Sequence, residues 1–165
     1  MTPTSRRAEA QQILASARAE LQTGIAGLSE AELQTIPITL EWDAMDILRH
    51  ISVWAELVVR CLEDWTGPRD WVINFSEDPD FNVDMVNQRR NLRLDQLLAS
   101  IQGFHDRYGR VLEECTDEEL AMVGAPPWGG RLTRAGMIIN ALTHDREHLG
   151  QLIQARKGPG GQGLY

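Results

Sequence analysis

The stretch "DAMDILRHISVWAELVVRCL", Asp43–Leu62, decides the fold. Ile47, Ile51, Trp54, Val58 and Cys61 recur every three or four residues, and Leu48, Ala55 and Leu62 widen the same face. That is the period of an α-helix with one side turned to a core, not the alternation of a strand. Asp43 is suited to cap its N-terminus, because a short side-chain oxygen accepts from the unpaired amides of the first turn. Gly67 and Pro68 are stop signals beyond its end. An apolar stripe this broad needs partners, and the rest of the chain supplies them.

Upstream, residues 5–28 predict a first helix: Ile13, Ala17, Leu21, Ile25 and Leu28 fall at helical spacing among good helix formers. Ser29 and Glu32 fit a capping box and predict a short helix over "SEAEL" before Pro37 breaks the chain. Downstream, the segment around Pro79 is expected to be irregular, with a short helix over "FNVDMVNQR". A third long helix, Leu94 to Glu114, carries the stripe Leu94, Leu98, Ile101, His105, Tyr108 and Leu112. Thr116 and Glu119 repeat the capping box, a faint two-fold echo of Ser29 and Glu32. "VGAPPWGGRL" predicts a turn-rich loop, and a last helix runs over about residues 133–157. Four long helices and almost no strand signal predict an all-α four-helix bundle. Residues 1–157 form one domain and residues 158–165 a loose, flexible tail.

Hydrophobic residues at 42% and charged residues at 24% suit a soluble globular protein rather than a disordered one. A net charge of −8 repels a phosphate backbone, and the one basic cluster, "NQRRNLR" (Asn87–Arg93), reads as a solvated helix entry. Nucleic acid is therefore not an expected partner. Neither is a membrane, because no apolar run is long enough to span one. Cys61 and Cys115 lack metal or redox spacing and read as thiols of a reducing compartment. With no apolar core in "MTPTSRRAEAQQ" to serve as a signal peptide, a cytoplasmic location is expected.

The chemistry is concentrated in "ALTHDREHLGQL", Ala141–Leu152, where His144 and His148 stand one helical turn apart. Residues i and i+4 project from one face, so both imidazoles can hold one cation. Zinc, nickel, copper and ferrous iron suit such ligands. The same stretch matches a His-x-x-Glu-His protease pattern. That chemistry needs a downstream carboxylate ligand, and none of the 17 residues after His148 is acidic. Glu147 also turns about 100° from His148 and about 60° from His144 on a helical wheel. A third ligand can come from another helix, as bundle metal sites arrange it. His50 lies at the edge of the Asp43–Leu62 apolar face, where burial demands a polar partner. A shared metal would supply one; so would an ordinary hydrogen bond, the commoner role of a lone histidine on an apolar face. His105 reads as a core histidine bonded to backbone or water.

"LEWDAMDILRHISVWAELV" (Leu40–Val58) followed by "INALTHDREHLGQL" (Ile139–Leu152) resembles the DinB/YfiT-like superfamily of four-helix proteins. The likeness lies in His50 with Trp42 and Asp43 before it, and in His144 and His148 with Gln151 after them. The middle segment, Asp84–Leu120, resembles the ClbS/DfsB-type branch. The resemblance spans about residues 5–157. It implies an up-down-down-up bundle and a metal site of His50, His144 and His148, usually holding zinc or nickel. It also implies homodimerisation. The superfamily includes S-transferases that use a low-molecular-weight thiol, and isomerases. The branch includes proteins resembling a resistance factor that opens a genotoxin's cyclopropane, and not all of its members keep the three histidines.

Two functions follow as expectations. In the first, the three histidines hold a divalent metal ion for thiol transfer to, or hydrolysis of, a small-molecule substrate. Lewis-acid chemistry of this kind makes a nucleophile at neutral pH. Asn140, Glu147 and Gln151, on or near the histidine stripe, are then candidates to orient ligands or substrate. In the second, the protein binds or sequesters a small molecule without metal, in an apolar cavity rimmed by Trp42, Trp54, Trp128 and Tyr108. Trp54 and Tyr108 are substrate-contact candidates in both.

Overall fold

The computed structural model describes residues 3–67 and 71–158. Its elements are α1 (Pro3–Ile25), α2 (Glu30–Leu33), α3 (Ala44–Glu63), α4 (Phe81–Gln88), α5 (Leu94–Glu114) and α6 (Asp117–Ala121). A two-residue ladder, β1 (Val123–Gly124) with β2 (Leu132–Thr133), precedes α7 (Arg134–Arg156). The expected tail lies outside the described residues from position 159 on, as does Pro68.

Local chemistry sets the element ends. Asp43 caps α3: its Oδ1 accepts from the Asp46 amide at 2.9 Å, and Asp46 reaches back to the Asp43 amide. Ser29 with Glu32, and Thr116 with Glu119, form the two predicted boxes that open α2 and α6. Two expectations are corrected. The first helix stops at Ile25 instead of running to Leu28, because Gly27 takes a left-handed conformation (φ 72°) that turns the chain out of the helix. The loop over "VGAPPWGGRL" is a short antiparallel hairpin, its reversal made by Gly129 and Gly130 at φ 83° and 82°.

The four long helices pack in the ring α1–α7–α3–α5. Cross-helix contacts fix their directions. Arg7, in the first turns of α1, pairs with Asp117 just past the end of α5, and Arg18 further along pairs with Asp106, so α1 and α5 are antiparallel. Glu20 meets Arg146, and the Thr23 and Gly24 carbonyls accept from Arg156, so α1 and α7 run together. On α3 and α7, His50 faces His144 while the later Val58 shares a wall with the earlier Ala141, so they run oppositely. Glu63 pairs with Arg107 while the earlier Glu56 shares a groove with Ala99, so α3 and α5 are parallel. The bundle is up-down-down-up.

Two parallel neighbours cannot be joined by a tight turn. The chain between α3 and α5 therefore travels the length of the bundle, and α4 lies in that crossover. Ile73, Phe81 and Met85 of the crossover pack on Val53, Trp54 and Leu57 of α3. The core itself is two apolar clusters, one around Val58, Leu112 and Leu142 and the other around Leu21, Leu48 and Leu152. Between them His50, His105 and Asp145 are buried.

Candidate metal centre

Each histidine is placed by its own helix. His50 is 5% exposed on α3, roofed by Trp42 at 5.0 Å between ring centroids. Trp42 is held there by a tight turn: Ile38 N–H donates to the Trp42 carbonyl at 2.9 Å and Trp42 N–H donates to Thr39 Oγ1 at 3.0 Å. His144 and His148 stand one turn apart on α7, with ring centroids 4.5 Å apart. Their centroids lie 5.0 and 4.7 Å from that of His50. One ring nitrogen from each of the three falls within 4.8 Å of the others.

The hydrogen bonds decide which nitrogen each ring turns inward. His148 Nδ1 lies 2.9 Å from the amide oxygen of Gln151, so it carries the proton and leaves the Nε2 lone pair available. His144 Nδ1 lies 3.4 Å from Asp145 Oδ1, a long contact with the same consequence. His144 Nε2 then sits 3.1 Å from His50 Nε2. Two imidazole nitrogens at that distance need a proton or a cation between them. Ligand nitrogens about 2.1 Å from one zinc-like cation, at angles of about 90–110°, lie about 3.0–3.4 Å apart, which the His50–His144 pair matches. A ring nitrogen of His148 lies within 4.8 Å of both.

Burial favours the uncharged rings that a metal requires. Desolvation, with His144 and His148 alongside, pushes the His50 imidazole down to about 3. Desolvation also lowers His148, against the opposing hydrogen bond to Gln151. His50 Nδ1 is buried without a hydrogen-bond partner among the described residues.

His105 does not ligate. It is fully buried, and in place of the expected backbone or water partner its Nε2 lies 3.0 Å from Asp145 Oδ2. Asp145, 1% exposed, thus touches His105 with one oxygen and His144 with the other. Carboxylates behind ligand histidines fix ring orientation and raise basicity. Sequence reasoning passed over Asp145 in favour of Glu147. The signal was present: Ala141, Leu142, Asp145, Leu149 and Leu152 are all buried on α7, so an acidic residue stands in the middle of an apolar stripe.

Beside the histidines lies a cavity of about 280 Å³. Trp54, Phe75 and Trp128 wall it, Val58 and Ala141 contribute apolar surface, and Asn82 and Asn140 add amides. Trp54 Nε1–H donates to Asn82 Oδ1 at 3.0 Å. Of the other sequence candidates, Gln151 acts on His148, and Glu147 is exposed and lines no part of the cavity. Tyr108 is also outside it: the ring is buried in the core and its hydroxyl donates to the Ala55 carbonyl at 3.3 Å. Trp42 roofs His50 rather than rimming the cavity.

The basic cluster is neutralised locally: Arg89 pairs with Glu56, Arg90 with Asp46 at 3.5 Å, and Arg93 with Asp95 at 3.1 Å. No helix among the described residues is long and apolar enough to cross a membrane.

Comparison with known proteins bears on the whole bundle. A family model described as the DinB superfamily matches residues 13–152. Among solved structures, a Streptococcus pneumoniae protein from a structural genomics programme superposes with a TM-score of 0.67 at 13% identity. The match covers 92% of this chain and 88% of that one, a likeness of fold. No curated protein matches.

Proposed function

The chain belongs to the DinB superfamily, and on that footing we propose that it binds one divalent cation, zinc or nickel, through His50, His144 and His148 and acts on a small molecule held in the adjoining cavity. The observation that carries this is the convergence of three ring nitrogens within 4.8 Å, two of them with their outer nitrogens held by Asp145 and Gln151. A divalent cation bound there supplies Lewis acidity, which activates a water or a low-molecular-weight thiol near neutral pH. The reaction is accordingly thiol transfer or hydrolysis. Trp54 and Asn140 contact substrate, while Gln151 and Asp145 position ligands. Placement in the ClbS/DfsB-type branch, a homodimeric assembly and a cytoplasmic location belong to the same proposal, supported by the resemblance of Asp84–Leu120 and the sequence features above.

Elemental analysis of tag-free protein tests it. Wild type is expected to carry about one equivalent of metal per chain, and His148→Ala to lose most of it, since two imidazoles alone hold a metal weakly. Wild type that stays empty after incubation with zinc and with nickel would refute the metal site. A second reading, sequestration without metal, is favoured by the predominantly apolar cavity wall. Ligand retention that survives chelation separates it from the first.

A further inference from the structure

The walls of the cavity select by charge and shape. Trp54 stands at its centre, with ring centroids 5.7 Å from Trp128, 6.0 Å from Phe75 and 5.9 Å from His144. Phe75 is 41% exposed at the lip. Among the described residues, no lysine, arginine, aspartate or glutamate lines the space. In the metal-free protein, a carboxylate, phosphate or ammonium entering it would give up its hydration with no ionic partner among the described lining residues, at heavy cost. Flat aromatic walls instead reward a flat apolar guest.

The polar groups are as specific as the rings. Asn82 Oδ1 is committed to Trp54 Nε1–H, so what Asn82 offers a guest is its amide N–H. A donor on an apolar wall pairs with an acceptor oxygen on the ligand and leaves an unmet need without one. The volume, about 280 Å³, lies just below the range of about 300–1,000 Å³ usual for drug-sized ligands. One ring system fits, and a long conjugate does not.

We infer that this cavity binds a neutral, flat aromatic or conjugated group carrying a hydrogen-bond-accepting oxygen, such as a ketone, and in the metal-free protein prefers it to a charged group of the same shape. The inference rests on the proposed role of the cavity as the ligand site, and its test is made without the cation. Of the two reactants of a thiol transfer, the cavity takes the apolar electrophile. A thiol bearing charged groups stays on the solvent side of the histidines.

A matched pair of probes tests this in full-length, chelator-treated protein: 2-acetylnaphthalene, neutral with a carbonyl, and 2-naphthoate, of the same ring system but anionic. Titration calorimetry and quenching of tryptophan fluorescence are expected to show the ketone binding about tenfold or more tightly than the carboxylate. Phe75→Ala, at the exposed lip where folding is spared, is expected to weaken the ketone about three- to tenfold. Asn82→Asp keeps an acceptor for Trp54 but replaces the amide donor with an anion, and is expected to weaken it about tenfold. Equal or tighter binding of naphthoate, binding of neither probe, or ketone affinity unchanged in both variants would overturn the inference. Metal content, measured separately, reports on the cation site alone, so the two failures are distinguishable.

Discussion

Replacing His50 by Gln in metal-free protein should flatten the dependence of stability on pH. In the folded chain His50 is held down to about 3, first by burial and then by repulsion from His144 and His148. In the unfolded chain it titrates near 6.5. Below that value the unfolded chain takes up a proton that the folded chain refuses, so stability rises with pH across the interval. The contribution is fully present above 6.5 and is lost as pH falls toward about 3, at about 1.4 kcal/mol per pH unit. Between pH 7.5 and pH 5.0 the loss from this residue is about 2 kcal/mol. With the side chain nearly sealed from water, little of that is screened. Gln cannot titrate, so the wild type should lose about 2 kcal/mol more than His50→Gln over the same interval. Urea unfolding followed by far-UV circular dichroism, with chelator present, measures both proteins at both pH values. Curves that fall in parallel within the extrapolation error would refute the buried, neutral state of His50.

Two further outcomes follow from the same geometry. Asp145→Asn should weaken zinc binding about 10- to 100-fold while leaving the helical content intact, because it removes the carboxylate that orients His144; equilibrium dialysis against a competing chelator reads the change, and an unchanged affinity would deny Asp145 that role. Asp43→Ala should cost about 1 kcal/mol in thermal or urea unfolding, because it deletes the side-chain acceptor for the Asp46 amide at the start of the helix that carries His50.

Much of the scaffold was legible in the chain. The helix carrying His50 declared itself by period and cap, and both short capped helices formed where Ser29 and Thr116 predicted them. Leu28 was misassigned because the apolar spacing ran on past Gly27, whose left-handed turn outweighs it. Tyr108 was legible as an inward-facing residue but not as a core one: the period of α5 says which side faces in, not whether a neighbour there is cavity or packed side chain. The cavity wall from Phe75 and Asn82 was invisible for a different reason. Both stand on the crossover between α3 and α5, and its path follows from the parallel arrangement of those helices, not from any local pattern.

The division is one of range. The sequence by itself determined what depends on a few consecutive residues: helix positions, their caps, and the one-turn spacing that puts His144 and His148 on one face, because helical geometry repeats every 3.6 residues. Only the tertiary structure decided what depends on which faces meet. It brought His50 Nε2 to 3.1 Å from His144 Nε2 across 94 residues of chain. It also set Asp145 against His105 and closed an aromatic cavity beside them. Those contacts come from the packing of four apolar stripes in one order and direction, a choice that no single stripe encodes.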